Sequence, residues 1–248
     1  MLPNVIILTG GISGSSVLTG LIARAGYWLG DDTKKVAYDT YENSKLVDLN
    51  MQILQQSGYF WRDVVDIPSP SIEKIGDVSK SLDISMYKEF VQQCDDHQPW
   101  LWKDPRLCYT IFFWKRMVDF RKCKFILMMR DLKQTWTGMI VRGKFAIPID
   151  KLDIIHRDCI NASYNFVKRE GVQYYGLTFE DLITSPEESI DDINKFIGTH
   201  LAISDLRAIY RGPLHRTRWS KRDFFKAKLK FCYYKYGLRD IVRFPRMG

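Results

Sequence analysis

The sequence predicts an α/β fold of three α/β/α layers around a central, mostly parallel sheet, and three observations carry that expectation. Two unbroken apolar runs, Val5-Ile6-Ile7-Leu8 and Phe125-Ile126-Leu127-Met128-Met129, have the length and hydrophobicity of strands buried on both faces. Segments with helical spacing separate these runs from each other and from a third run at 172–178. A glycine-rich turn, Gly10-Gly11-Ile12-Ser13-Gly14, joins the first run directly to a helical segment. Strands and helices that alternate in this way argue for a doubly wound sheet.

The remaining elements follow in order. The first helix follows the glycine-rich turn and ends near Gly26. Leu46, Leu49, Ile53 and Leu54 place a helix from Asn43 to Gln56, stopped near Gly58. Residues 62–84, richer in Pro, Ser and Asp, read as a surface loop with short turns. A helix at 85–93, a brief strand at Trp100-Leu101-Trp102 and a helix from 108 to 120 lead to the second apolar run. Asp131 with Gln134 three residues on has the form of a capping box. A long amphipathic helix at 151–169 stops at Gly171, before the strand at 172–178. Ser185-Pro186-Glu187-Glu188 then offers an N-cap, a first-turn proline and a capping glutamate for a helix ending at Gly198.

Composition sets the frame. With 248 residues, 46% hydrophobic and 14% aromatic, and with no linker, repeat or low-complexity tract, the chain reads as one domain over 1–248. Five scattered cysteines without paired spacing point to reduced thiols in a cytosolic compartment rather than a disulfide framework or a zinc site. The N-terminal apolar run lacks a preceding basic region and no run approaches the length of a membrane span, so a soluble protein is expected. The net charge of +8 is unevenly spread. A C-terminal extension from about 207 holds 13 Lys/Arg against Asp223 and Asp240, leaving residues 1–206 slightly acidic. This extension, interleaved with Phe224, Phe225, Phe231, Tyr233, Tyr234 and Tyr236, suits an acidic polymer or peripheral contact with an anionic membrane surface. A nucleic acid fits it least. The alternative is a solvated basic helix whose aromatic residues pack on the core.

Ligands of such sheets bind beyond the carboxyl ends of the strands, and three of these ends carry suitable residues. The Gly10–Ser16 turn gathers backbone N–H groups and a helix N-terminus, which favours a phosphate or sulfate. No Lys follows its last glycine, so it is not a nucleoside-triphosphate loop. Arg130 follows the second apolar run, with Thr135 and Thr137 on the next helix, and forms a second anion site. Lys103-Asp104-Pro105-Arg106 makes a rigid charged turn after the Trp-rich strand. Two anion sites on neighbouring strands suggest a nucleotide with phosphates at two separate positions.

The chain resembles the sulfotransferases that use 3′-phosphoadenosine 5′-phosphosulfate (PAPS), particularly their compact bacterial-type members. Gly10 to Ser16 is similar to their 5′-phosphosulfate loop, and Phe125 to Asp131 to the strand and arginine that bind the 3′-phosphate. Trp102-Lys103-Asp104-Pro105-Arg106 resembles a K-D-P-R segment. Leu177-Thr178-Phe179-Glu180-Asp181-Leu182 resembles a Y-E-D-L run, with Ser185-Pro186-Glu187 and Phe196-Ile197-Gly198 behind it. Tyr41-Glu42-Asn43 is similar to a segment that can carry an acceptor-activating glutamate. The departures are Ile12 where the loop has Lys or Arg, Gly138 in place of Ser, Leu132 in place of Pro, and Phe179 in place of Tyr. His215-Arg216-Thr217-Arg218 is the nearest counterpart of a C-terminal basic loop.

The resemblance implies a P-loop-like fold and in-line sulfuryl transfer from PAPS to a hydroxyl or amine of a carbohydrate, lipid or small-molecule acceptor, with no metal. Gly11, Ser13, Gly14, Ser15 and Ser16 would hold the 5′-phosphosulfate. Arg130 with Thr137, the wall of Phe179, and Arg216 or Arg218 would hold the rest of the nucleotide. Lys103 or Arg106 would replace the missing loop cation, with Glu42 or else Asp104 as the base; His97 is the base of an alternative layout. Trp100, Trp102 and Trp114 read as core or pocket wall, and Trp61, Trp100 or Trp136 could stack on an acceptor ring. Two other classes stay open: a non-catalytic nucleotide-binding relative, which Ile12 favours, and a P-loop kinase, which the missing loop Lys and carboxylate pair disfavour.

Overall fold

The computed structural model describes residues 2–35, 38–59, 70–78, 82–141 and 147–235, the last two by their backbone alone. Its elements are β1 (Asn4–Thr9), α1 (Ser15–Ala23), β2 (Thr33–Lys35), β3 (Asp39–Asn43), α2 (Ser44–Gln56), α3 (Ile72–Val78), α4 (Ser85–Asp96), β4 (Leu101–Lys103), α5 (Leu107–Trp114), β5 (Cys123–Met129), α6 (Leu132–Val141), α7 (Ile149–Glu170), β6 (Tyr174–Thr178), α8 (Phe179–Thr184), α9 (Pro186–Ile197), α10 (Ile203–Ile209) and α11 (Lys221–Lys235).

Four strands form a parallel sheet in the order β4-β1-β5-β6, so the two long apolar runs are its central neighbours, paired from Asn4 with Cys123 to Thr9 with Met128. Alternate residues of these strands face two separate cores. Val5, Ile7, Ile126 and Met128 pack with α1, α8 and α9, while Ile6, Leu8, Phe125 and Leu127 pack with α2, α4, α5 and α7. Each such side chain contributes roughly 1.5–3 kcal/mol relative to exposure, which accounts for apolar runs without polar alternation. A third, smaller core joins α6 to α11 through Trp136, Met139, Ile140 and Ala227. The expected three-layer α/β/α arrangement is therefore present.

Several local expectations differ from the structure. The helix expected to reach residue 120 ends at Trp114; the Asp119 side chain instead accepts from the Arg121 amide and starts a separate short turn. Residues 72–78 of the expected loop form α3, because Ile75 and Val78 bury against the core; 60–69 and 79–81 lie outside the described residues. A hairpin, β2 with β3, occupies a stretch with no strand expectation. The capping box at α6 is only half formed. Asp131 Oδ1 accepts from the Gln134 amide, but the Gln134 side chain pairs with Trp219, and the Asp131 amide donates to Glu180. Ser185 is the N-cap residue of α9 without a side-chain cap bond. No helix among the described residues is long and apolar enough to cross a membrane.

Candidate functional site

The loop between β1 and α1 turns through three residues of positive φ, Gly11 at 56°, Ile12 at 52° and Gly14 at 83°. Only Gly fits position 14, since a Cβ there would overlap the Phe179 ring. Ile12 is a β-branched residue held in the left-handed region, a strained conformation that persists only where its surroundings impose it. The loop is braced from within by a hydrogen bond between Thr9 and the buried Ser13 hydroxyl. α1 opens with no side-chain cap and no acidic residue in its first turn, so its N-terminal amides face a position suited to an external anion.

Arg130 ends on this same loop. Its Nη1 donates to the Ile12 carbonyl at 3.2 Å, its guanidinium lies 4.7 Å from the centre of the Phe179 ring, and Nε stands 3.6 Å from Glu180 Oε1. Phe179, buried at the start of α8, thus touches both Gly14 and Arg130 and sets the spacing between the two. The amide cradle and the guanidinium open on one side of the sheet, beyond the carboxyl ends of β1 and β5. A small pocket of about 10 Å³, room for a single water, adjoins them, lined by Thr9, Gly10, Met129, Cys159 and Ser163 among others.

The Lys103 turn reaches the loop from β4. Lys103, 1% exposed, donates from Nζ to Glu42 Oε1 at 2.8 Å and to Ser16 Oγ at 3.3 Å. Burial pushes its ammonium pKa down, while Glu42, then Asp104 and Asp39, pull it back up. Glu42 lies on β3, just before the Asn43 N-cap of α2, and the residue before it, Tyr41, has φ 55° with its amide held by Asp39 Oδ1 at 2.7 Å. This second strained residue directs Glu42 inward. Asp104, 0% exposed, belongs to a different network. Its Oδ1 accepts from the Arg106 amide and Nη1 at 3.0 and 2.8 Å, and Oδ2 accepts from Asn50 Nδ2 at 2.8 Å. Asn50 in turn accepts from Thr110 and Trp114. Arg106 therefore turns to Asp104 and Met51, and it is Lys103 that meets the loop.

On α6, Thr137 is buried and Gly138 lies against Trp219, whose Nε1 would stand 3.1 Å from an added Cβ. That indole N–H is buried with no hydrogen-bond partner among the described residues. The Trp219 backbone is fixed to Gln134 at 2.7 and 3.0 Å, and Arg218 lies over the Trp219 ring at 5.3 Å. The segment 216–219 thus runs beside α6, with Arg216 and Arg218 exposed. Two residues here escaped the sequence reading. Trp219 is one. The other is His156 on the inward stripe of α7, whose pKa burial and then Arg130 lower, against an upward pull from Asp153. Histidine on a buried helix stripe was the available signal. Trp100, Trp102 and Trp114 form a packed aromatic core, and Trp136 is buried against Phe224 and Phe231; Trp61 lies outside the described residues. His97 stacks on Trp28, away from the loop cluster. Among the described residues no cluster of three or more His, Cys, Asp or Glu could hold a metal ion.

No family model and no curated protein sequence matches this chain. Among solved structures it is similar to the sulfotransferase domain of the Synechococcus PCC 7002 olefin synthase, at 15% identity over 98% of this chain and 96% of that one, with a TM-score of 0.51. It also aligns with the sulfotransferase domain from the curacin biosynthetic pathway, at 12% identity over 100% and 94% of the two chains and a TM-score of 0.49. A third match is a retinol dehydratase in complex with androsterone and inactive cofactor PAP, at 12% identity over 98% and 83% with a TM-score of 0.37. The first of these is a likeness of fold, and that fold is the P-loop-like α/β/α arrangement.

Proposed function

We propose that this chain is a sulfotransferase that moves a sulfuryl group from PAPS to a hydroxyl or amine of a glycan, lipid or small-molecule acceptor. One observation carries the reading: Arg130 and the glycine-rich loop lie together on one side of the sheet, and Lys103 is delivered to Ser16 where the loop itself offers only Ile12. In this reading the amides at 13–16 and the hydroxyls of Ser15 and Ser16 hold the 5′-phosphosulfate. Arg130, Thr137 and the Trp219 indole N–H, which has no partner among the described residues, face the 3′-phosphate, with Arg216 and Arg218 at its rim. The bond from the acceptor atom to sulfur forms as the bond from sulfur to the bridging phosphate oxygen breaks. Lys103 meets the charge that develops on that oxygen, and Glu42, released from Lys103, takes the acceptor proton. Asp104, enclosed by Arg106 and Asn50, braces the turn that presents Lys103.

A second reading, a PAPS- or PAP-binding protein without turnover, is favoured by Ile12, which is 39% exposed where the resemblance calls for a cation. Titration calorimetry with adenosine 3′,5′-bisphosphate (PAP) and with ATP tests what both readings share. Micromolar binding of the bisphosphate and none of ATP is expected, and the reverse preference overturns them. Arg130→Ala is expected to weaken bisphosphate binding about 100-fold, from the loss of charge-assisted hydrogen bonds. Unchanged affinity would mean that the 3′ site lies elsewhere. Turnover of labelled donor over an acceptor panel then separates enzyme from binder.

A further inference from the structure

α11 has two apolar stripes, of which one packs against the described residues. Phe224, Ala227 and Phe231 pack on α6, with Phe224 and Phe231 both set edge-on to Trp136 at 5.7 and 5.5 Å. Lys230 Nζ donates to the Val141 carbonyl at 3.1 Å, and Gln134 pairs with Trp219 just ahead of the helix, so this face is fixed. Arg222, Phe225, Lys226 and Leu229, spaced i, i+3, i+4 and i+7, form the opposite face. Phe225 is 62% exposed and Leu229 49%. Lys221 and Lys228 flank them and are also exposed. The one carboxylate of the helix, Asp223, is engaged at its start, where it accepts from the Ser220 amide and hydroxyl at 2.9 and 2.7 Å. It does not neutralise the outward face.

We propose that this outward face of α11 docks the protein on an anionic lipid bilayer. An acidic polymer would pair Arg222 and Lys226 but leave Phe225 and Leu229 in water. An apolar protein groove would bury the two apolar side chains and strand the cations. A bilayer surface with acidic headgroups answers both, because the apolar side chains enter the headgroup–acyl boundary while the cations stay at the charged surface. The packing of α11 on α6 would then hold the Arg130 end of the molecule at a fixed distance from that surface. The inference rests on the helix alone and is independent of the reaction proposed above.

Co-sedimentation of the full chain with phosphatidylcholine vesicles, with and without phosphatidylserine, at low and high salt, provides the test. Binding is expected only to vesicles that contain phosphatidylserine and is expected to weaken as salt rises. The double variant Phe225→Ser with Leu229→Ser should lower the partition coefficient about 10-fold, from lost apolar insertion, and leave retention on heparin resin unchanged. Arg222→Glu with Lys226→Glu should lower both by about 10-fold or more. All four positions are exposed, and circular dichroism checks that the variants stay folded. Wild-type protein that ignores phosphatidylserine vesicles overturns the proposal. So does a Ser double variant that binds them as wild type does, since that face would then read polyanions alone.

Discussion

The ends of β4 and β5 carry polar side chains a short distance apart, yet they are built on opposite plans. Beyond β4, Asp104, Asn50, Arg106, Thr110 and Trp114 satisfy one another in a network closed to solvent. Beyond β5, Arg130 is held by a carbonyl at 3.2 Å, a carboxylate at 3.6 Å and an aromatic face; α1 opens without a side-chain cap, and the Trp219 indole N–H has no acceptor among the described residues. A closed network stabilises a turn, whereas an uncapped helix N-terminus beside a guanidinium suits an incoming anion. Lys103 belongs to both plans, because it is buried like the first group and reaches Ser16 like the second.

The largest expected effect tests the closed side. Asp104→Ala leaves the Arg106 guanidinium without its carboxylate and the Asn50 amide without its acceptor. Breaking a buried pair from one side costs about 3–5 kcal/mol, so the urea midpoint should fall steeply, while Arg130→Ala, whose partner Glu180 is partly exposed, should lower it less. Comparable midpoint shifts for the two would erase the distinction between a structural network and an open site.

What could be read in the sequence divides along similar lines. β1, its glycine turn, β5 and Arg130 were legible because apolar runs, glycines and a charge at a strand end are local signals. The closed network was not, because Asp104 and Asn50 are 54 residues apart and Trp114 and Asn50 are 64 apart. The β2–β3 hairpin was hidden by a polar composition, Thr33-Lys-Lys and Asp39-Thr-Tyr-Glu-Asn, that offers no apolar alternation. Gln134 fits a capping box by spacing, but a partner 85 residues away, Trp219, claims its side chain. The Lys103 turn reads correctly as a rigid charged turn, but nothing local in its residues discloses that Lys103 and Asp104 are buried. Tertiary context overrode the local pattern in each case.

Lys103 sharpens the comparison because its two roles can be separated. Lys103→Met should lower turnover about 10²–10³-fold, the range seen when a donor to developing negative charge is removed. It should also destabilise the fold, since Glu42 is left buried and unpaired. Adding Glu42→Gln removes that unpaired charge. The double variant should therefore regain most of the urea midpoint but none of the turnover. Recovery of both would make the pair a structural brace with no part in the chemistry, and recovery of neither would place Lys103 wholly in the closed network.

The smallest effect concerns His156, which shares its surroundings with Arg130. Burial first, and Arg130 after it, hold its pKa below the ordinary 6.5, while Asp153 opposes them. The imidazole is thus neutral in the folded state under conditions where an unfolded histidine begins to take up a proton. Well above its ordinary pKa of 6.5 the group is neutral in both states and contributes nothing. Below it the unfolded chain binds more protons, so stability should fall with decreasing pH until the folded pKa is reached, at up to about 1.4 kcal/mol per pH unit. His156→Gln should flatten the urea-derived stability profile in that window and leave it unchanged at pH 8. Arg130→Ala removes a positive neighbour and should raise the His156 midpoint followed by NMR, whereas Asp104→Ala should leave it in place. A midpoint that ignores Arg130 would detach α7 from the open end of the sheet and reduce that end to the loop, the guanidinium and Trp219.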